Sequence, residues 1–269
     1  MKENNTYVTT FSTQPEYKTS EQKFKPKLFP SLYFFSRLFR IILYCNRQAM
    51  KGIYNDVRWA NSSADVASSI ENAGVRLHFE GLDILHNLKS PVVFIGNHMS
   101  TLETMVLPCL IQPHRKVVFV IKQELAEYPL FGKVALARDP ILVGRENPRE
   151  DLKVVMEEGA DKLSNGKSVI IFPQKTRSQI IDASTFNSLG VKLAKRTNVP
   201  VVPIALLTDA WGVGKVIKEF GKINTQKTVR ICFGNPMDVK GKGTAEHQQV
   251  IDFISNKLIE WGRMDLVVK

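Results

Sequence analysis

Cysteine is scarce in this 269-residue chain: Cys45, Cys109 and Cys232 lie far apart and form no C-x-x-C pair. That excludes a disulfide scaffold and a thiolate zinc finger, and it suits a reducing compartment. Long apolar runs are missing as well. No uncharged apolar window reaches the roughly 18 residues of a membrane-crossing helix. The first 23 residues hold no apolar signal-peptide core. Neither a G-x-S-x-G nucleophile elbow nor an H-E-x-x-H metal pair occurs. Gly166-Lys167-Ser168 looks like the end of a phosphate-binding loop. The first glycine of such a loop falls on Asp161, however, and the trio precedes a strand pattern instead of following one. Gly212 and Gly214 open a dinucleotide-like glycine pattern that Ile217 breaks.

Acidic residues are also in short supply. Against 37 Lys and Arg stand 26 Asp and Glu, a net charge of +11. Such a surface attracts polyanions: nucleic acid, anionic membrane, or phosphorylated and acidic-carrier substrates. Lys215, Lys218, Lys222, Lys227 and Arg230 cluster without interleaved stacking aromatics, so nucleic acid is not the expected partner. With 43% hydrophobic and 23% charged residues, the chain can bury a core.

Composition divides the chain into three expected parts. Residues 1–27 are polar and read as a flexible tail. From Leu28 the segment LFPSLYFFSRLFRIILYCNRQAMKGIYNDVRW opens densely apolar, with Arg37, Arg40, Arg47 and Lys51 at helical spacing. Residues 28–74 therefore read as a helical, membrane-associating region lying in the interface, with cations at phosphate level. A spanning helix must bury Arg37 and Arg40, at roughly 2.5–3.5 kcal/mol each; an ordinary helix packed on the core is the other alternative. Residues 75–269 alternate short apolar runs with amphipathic stretches. VRLHFEG, PVVFIGN, KVVFVIK, ILVGR, SVIIFP, VPVVPIALL and VRICFG read as strands, and Asn147-Pro148-Arg149-Glu150 opens a capped helix. The expected fold is an α/β domain: a central, largely parallel sheet flanked by helices. His78 and His86 flank a strand and turn and read as structural or surface residues; Cys109 reads as core.

Chemistry concentrates in PVVFIGNHMSTLETMVL. His98 follows an apolar strand, at the edge where open α/β sheets place ligands. Glu103 lies five residues on, in the first turn of the next helix, and helical side chains lean back toward the amino terminus. A carboxylate on one ring nitrogen fixes the tautomer and frees the other nitrogen to take a proton from a hydroxyl. Ser100-Thr101-Leu102-Glu103 is equally a capping box, S-x-x-E, whose role ends with starting the helix.

Four ordered blocks resemble the glycerolipid acyltransferase family, whose best-known members are 1-acylglycerol-3-phosphate acyltransferases. Asn97-His98-x4-Glu103 resembles its N-H-x4-D block. The run Lys122-Gln123-Glu124-Leu125, Pro129-Leu130-Phe131-Gly132 and Val143-Gly144-Arg145 is similar to the second. Phe172-Pro173-Gln174-Lys175-Thr176-Arg177-Ser178 resembles F-P-E-G-T-R-S, and Val199 to Ala205 the V-P-x-x-P strand. The resemblance spans roughly residues 75–235. It implies direct acyl transfer from acyl-CoA or acyl carrier protein, as co-substrate and without a resident cofactor or metal. The resemblance further implies His98 as base with Glu103 behind it, and Arg145 and Arg177 as the grip on the acceptor phosphate, with Lys175 and Thr176 in the same loop. Glycerol 3-phosphate and a lyso-aminolipid are alternative acceptors, and a non-catalytic lipid-binding relative is the alternative class. Membrane lipids, an anionic membrane surface and acyl carrier protein are the implied partners, at the cytoplasmic face of a membrane. Three departures stand out: Glu103 for Asp, Gln174 for Glu, and Lys175 for Gly.

Overall fold

The computed structural model describes residues 6–22, 24, 26–144, 146–174, 176–214 and 220–268. In chain order its elements are β1 (Tyr17–Lys18), α1 (Pro30–Met50), α2 (Asp56–Asn72), β2 (Arg76–Glu80), α3 (Leu82–Asn87), β3 (Val93–Gly96), α4 (Leu102–Ile111), β4 (Val117–Lys122), α5 (Phe131–Leu136), β5 (Ile141–Val143), α6 (Pro148–Ser164), β6 (Ser168–Ile171), α7 (Leu189–Thr197), β7 (Val201–Leu207), β8 (Thr228–Phe233) and α8 (Thr244–Glu260). One sheet runs β1-β2-β8-β7-β3-β6-β4-β5. Pairing is parallel throughout β7-β3-β6-β4-β5 and between β2 and β8, and antiparallel at β1-β2 and β7-β8. The largely parallel sheet flanked by helices is therefore as expected.

Its central strands β3, β6 and β7 are buried on both faces, which is why they read as continuous apolar runs and not as alternation. Phe94, Ile170, Val117 and Phe119 face one core with α1–α4; Val93, Ile95, Val169, Ile171 and Val118 face the other with α6–α8. Asn147 caps α6 as its sequence foretold, accepting from the Arg149 and Glu150 amides. Small residues on α2 (Ala60, Ser63, Ala64, Ala67) let it lie close to α4, and the Ser63 hydroxyl donates to the Met105 carbonyl at 2.6 Å.

The amino-terminal segment differs from the flexible tail expected of it. Phe11 is 2% exposed and packs edge-on against Tyr17 and Phe79. β1 pairs with β2 and closes that edge of the sheet. Its polar composition hid a single aromatic anchor and a set of main-chain bonds. The carbonyl of Ser12 accepts from the Nε2 of both His86 (2.7 Å) and His114 (3.1 Å), whose rings lie 4.3 Å apart. Burial first, then the charge of His86, hold the His114 pKa below 6.5, although the Ser12 carbonyl favours the proton. A group that binds its proton less readily when folded contributes stability that is full above its unfolded pKa and lost as pH falls below it. The melting temperature is thus expected to drop from about pH 7.5 to about pH 5.5, and to drop less in His114→Gln. Equal drops in the two proteins would assign the loss elsewhere.

α1 is one continuous 21-residue helix whose apolar run is interrupted by Arg37, Arg40 and Arg47. Phe34 and Leu38 are buried against the domain, whereas Phe29, Leu32 and Phe39 are exposed. Among the described residues no helix is long and apolar enough to cross a membrane.

Candidate active site

β3, β6, β4 and β7 all end on one edge of the sheet, and the site is assembled there. β3 ends at Gly96, where a Cβ would come within 3.2 Å of the Ile204 carbonyl oxygen; glycine lets the two strands approach at this point. Asn97, fully buried, clamps β7 with two bonds: its Nδ2 donates to the Leu206 carbonyl at 2.8 Å and its Oδ1 accepts the Leu206 amide at 2.9 Å. The chain then turns, and His98 stands over the edge.

Glu103 makes the hydrogen bonds of a helix cap and a bond to the His98 ring at the same time. Its Oε1 accepts from the Ser100 amide (2.9 Å), while the Ser100 hydroxyl accepts from the Leu102 amide (3.1 Å), a reciprocal cap at the start of α4. The same Oε1 accepts from the Met99 amide at 2.7 Å and from Nδ1 of His98 at 2.9 Å. Oε2 accepts the hydroxyls of Thr208 (2.6 Å) and Ser100 (2.9 Å). Burial alone would raise the pKa of this carboxyl. The hydrogen bond and charge of His98, the Thr208 hydroxyl and the Ser100 amide together outweigh it and leave the pKa below the ordinary value. An ionised carboxylate only accepts, so Nδ1 of His98 carries the proton and Nε2 is left as the basic nitrogen.

The His98 ring lies flat on Phe172, centroids 4.5 Å apart and planes within 11°. Its main chain is held on both sides by the loop after β6. The His98 amide donates to Oε1 of Gln174 at 2.7 Å, and its carbonyl accepts the Ser178 amide at 2.8 Å. Gln174 is buried and spends its Nε2 on the Ile180 carbonyl (3.3 Å), a donation that an ionised glutamate cannot make. The departure from F-P-E-G-T-R-S at this position therefore keeps a site-building role.

Arg177 reaches the start of α4, where a guanidinium nitrogen donates to the Thr101 hydroxyl. Thr176 is exposed on the same loop. The structure thus brings His98, Glu103 and Arg177 together; Arg145 and Lys175 lie outside the described residues. Lys122 ends β4 on the same sheet edge and pairs with Glu124 at 2.6 Å. Thr208, Phe172 as ring platform and Gln174 as backbone clamp escaped the sequence reading. The only signal for Thr208 was its place directly after the V-P-x-x-P strand.

Beside the site is an apolar cavity of about 150 Å³, lined by Leu38, Ile41 and Ile42 of α1, Trp59 and Val66 of α2, Met105 of α4, Phe119 and Ile121 of β4, and Phe131 and Val134 of α5. Phe119 stacks on Phe172 at 6.2 Å, so one aromatic row leads from the cavity wall to the His98 ring.

Residues 76–207 match the family described as Acyltransferase. A 1-acyl-sn-glycerol-3-phosphate acyltransferase of Pseudomonas aeruginosa is 30% identical over 171 residues, covering 64% of this chain and 63% of that protein. A chloroplastic 1-acyl-sn-glycerol-3-phosphate acyltransferase of Arabidopsis thaliana is 28% identical over 163 residues, covering 60% of this chain and 44% of that one. The chain thus spans less than two thirds of the length of these relatives. The crystal structure of the 1-acyl-sn-glycerophosphate (LPA) acyltransferase from Thermotoga maritima shares the fold, with a TM-score of 0.65 at 18% identity over 87% of this chain and 95% of that one. These sequence matches support the glycerolipid acyltransferase family.

Proposed function

We propose that the protein transfers a fatty acyl group from an acyl thioester to the hydroxyl of a lysophospholipid, with 1-acylglycerol 3-phosphate as acceptor and phosphatidic acid as product. The observation that carries this reading is the 2.9 Å contact of Nδ1 of His98 with a wholly buried Glu103. His98 Nε2 takes the acceptor's hydroxyl proton as the oxygen attacks the thioester carbonyl. The carbon–sulfur bond then breaks, and the imidazolium returns the proton to the departing thiolate. No acyl-enzyme is invoked. The Ser100 hydroxyl is spent on Glu103 and Thr208, and the three cysteines are buried, with Cys109 and Cys232 pushed up to about 12 by burial. The names of the relatives support the acceptor. The intact dyad and the clamp made by Gln174 favour a working enzyme over a lipid-binding relative.

The test is lipid mass spectrometry after incubating the protein with acyl-CoA or acyl carrier protein thioesters and a panel of lyso-lipids and glycerol 3-phosphate. Phosphatidic acid formed from 1-acylglycerol 3-phosphate is the expected result; a different acylated acceptor would correct the substrate, and no product would remove the reading. Arg177 is the phosphate ligand on this view. Arg177→Ala is expected to raise KM for phosphorylated acceptors about 10- to 150-fold and leave KM for the thioester nearly unchanged, because a hydrogen bond to a charged group contributes about 1.5–3 kcal/mol. Arg177→Lys should recover only part of this, since the two-pronged grip is lost. An equal rise for both substrates would displace the phosphate site from Arg177.

The helical region 28–74 is the membrane-facing part on this reading, and the protein works from the cytoplasmic face. Exposed Phe29, Leu32 and Phe39 with Arg37 and Arg40 on α1 suit an anionic interface. Changing Arg37 and Arg40 to Glu is expected to weaken binding to anionic vesicles, and high salt to weaken it in the parent protein. Binding indifferent to both changes would refute an electrostatic contribution.

A further inference from the structure

The carboxyl-terminal end of the chain reaches the His98–Glu103 pair by two separate routes. Both begin just after α8, where Gly262, at a φ of +77°, turns the chain back toward the sheet. From the geometry of these routes we propose that Asp209, Arg263 and the segment Leu266–Val268 are positioning residues that hold the dyad in register. The proposal rests on the acyl-transfer reading above for its kinetic arm only.

The first route ends on the carboxylate. Arg263 donates from one terminal nitrogen to Oδ2 of Asp209 at 2.7 Å, and Lys227 donates to the same oxygen at 2.6 Å. The Asp209 side chain is 1% exposed, so its charge is compensated inside the protein and not by water. Arg263 is itself oriented by Asp265, which takes its Nε and its other terminal nitrogen at 3.0 and 3.1 Å; these bonds favour the charged guanidinium. Asp209 directly follows Thr208, whose hydroxyl bonds Oε2 of Glu103 at 2.6 Å. Anchoring Asp209 therefore fixes the peptide that carries the Thr208 hydroxyl to the carboxylate.

The second route ends on the imidazole. The Ile181 amide donates to the Leu266 carbonyl at 2.7 Å, and the Val268 amide donates to the Ile181 carbonyl at 2.9 Å, so the terminal segment pairs with Ile181 in the manner of a parallel strand. Ile181 and Leu266 are both buried. The neighbouring Ile180 carbonyl takes the Nε2 of Gln174 and the hydroxyl of Ser178. Gln174 and Ser178 in turn hold the two main-chain groups of His98. Six residues at the end of the chain thus brace the loop that fixes the base and the strand end that fixes its carboxylate. A displacement of the order of 1 Å at a reacting group can cost about a hundredfold in rate.

The test compares Arg263→Ala, Arg263→Lys, Asp209→Asn and a chain ended at Gly262. Each is measured for melting temperature, for kcat and KM, and for the ¹⁵N shifts of the His98 ring across pH without substrate. In folded Arg263→Ala we expect kcat to fall about tenfold to a hundredfold with KM nearly unchanged. The ring signals should lose the single Nδ1–H tautomer. Arg263→Lys, which keeps the charge on Asp209, should recover part of both. Folded Arg263→Ala and Asp209→Asn proteins with parental kcat and parental ring signals would overturn the proposal and leave the segment a structural fastening. Should the shortened chain not fold, the point variants decide. Should the parent protein transfer no acyl group, the functional reading falls, and the ring signals alone decide whether the brace positions the dyad.

Discussion

Replacing His98 with alanine is expected to lower kcat roughly 10²–10⁴-fold while the protein stays folded, the range for losing a positioned general base. The surroundings make the variant interpretable. Removing the ring leaves Glu103 with the Met99 and Ser100 amides and the Ser100 and Thr208 hydroxyls, so the buried carboxylate keeps four donors. The main-chain bonds to Gln174 and Ser178 do not depend on the side chain. The stacked contact with Phe172 goes, a loss of about 0.5–1.5 kcal/mol by analogy with aromatic pairs. Thiol release from the acyl thioester and the melting temperature, measured on the same preparation, check this. Parental turnover in folded His98→Ala would remove the base from the mechanism.

Glu103→Gln is expected to lower kcat about 10- to 150-fold with a small effect on stability. Three N–H groups converge on Oε1, so a glutamine is driven to keep its carbonyl oxygen there. Its amide then faces the hydroxyls of Thr208 and Ser100, which rotate to accept. The tautomer of His98 is thus retained, and what is lost is the charge that stabilises the imidazolium. A hydrogen bond to a charged group contributes about 1.5–3 kcal/mol, which converts to that fold-change. In serine proteases the comparable Asp-to-Asn change costs about 10⁴, because there the tautomer is wrong as well. A cap without a catalytic role would leave kcat intact wherever the variant is folded, so full activity in folded Glu103→Gln would reduce Glu103 to the start of α4. Glu103→Asp keeps the charge but withdraws it by one methylene, and should retain partial activity.

How much of this was legible beforehand depended on the distance over which each feature is decided. The central strands announced themselves because both of their faces are covered, and an apolar run needs no partner to be recognised. The α6 cap and the His98–Glu103 spacing are settled within a few residues, so they too could be read in one dimension. The amino-terminal segment was misread because its order depends on Phe11 finding Tyr17 and Phe79, and on the Ser12 carbonyl finding two histidines more than 70 residues away.

Glu103 shows the same division within one residue. The S-x-x-E pattern and the helical lean of its side chain left cap and dyad as competing roles. Folding shows them to be one arrangement, because the turn after β3 aims the Met99 and Ser100 amides and the His98 ring at a single oxygen. Sequence alone determined the α/β class, the strand runs and the pairing of a histidine with an acid five residues on, since hydrophobic burial and local hydrogen bonding act over short spans. Only the tertiary structure decided how Thr208, Gln174 and Phe172 touch the histidine and its acid, and that Arg263 stands behind Thr208 through Asp209. They come from separate strands, loops and the chain end, and they meet because parallel strands of one sheet end on a common edge, a consequence of strand order that no local pattern encodes.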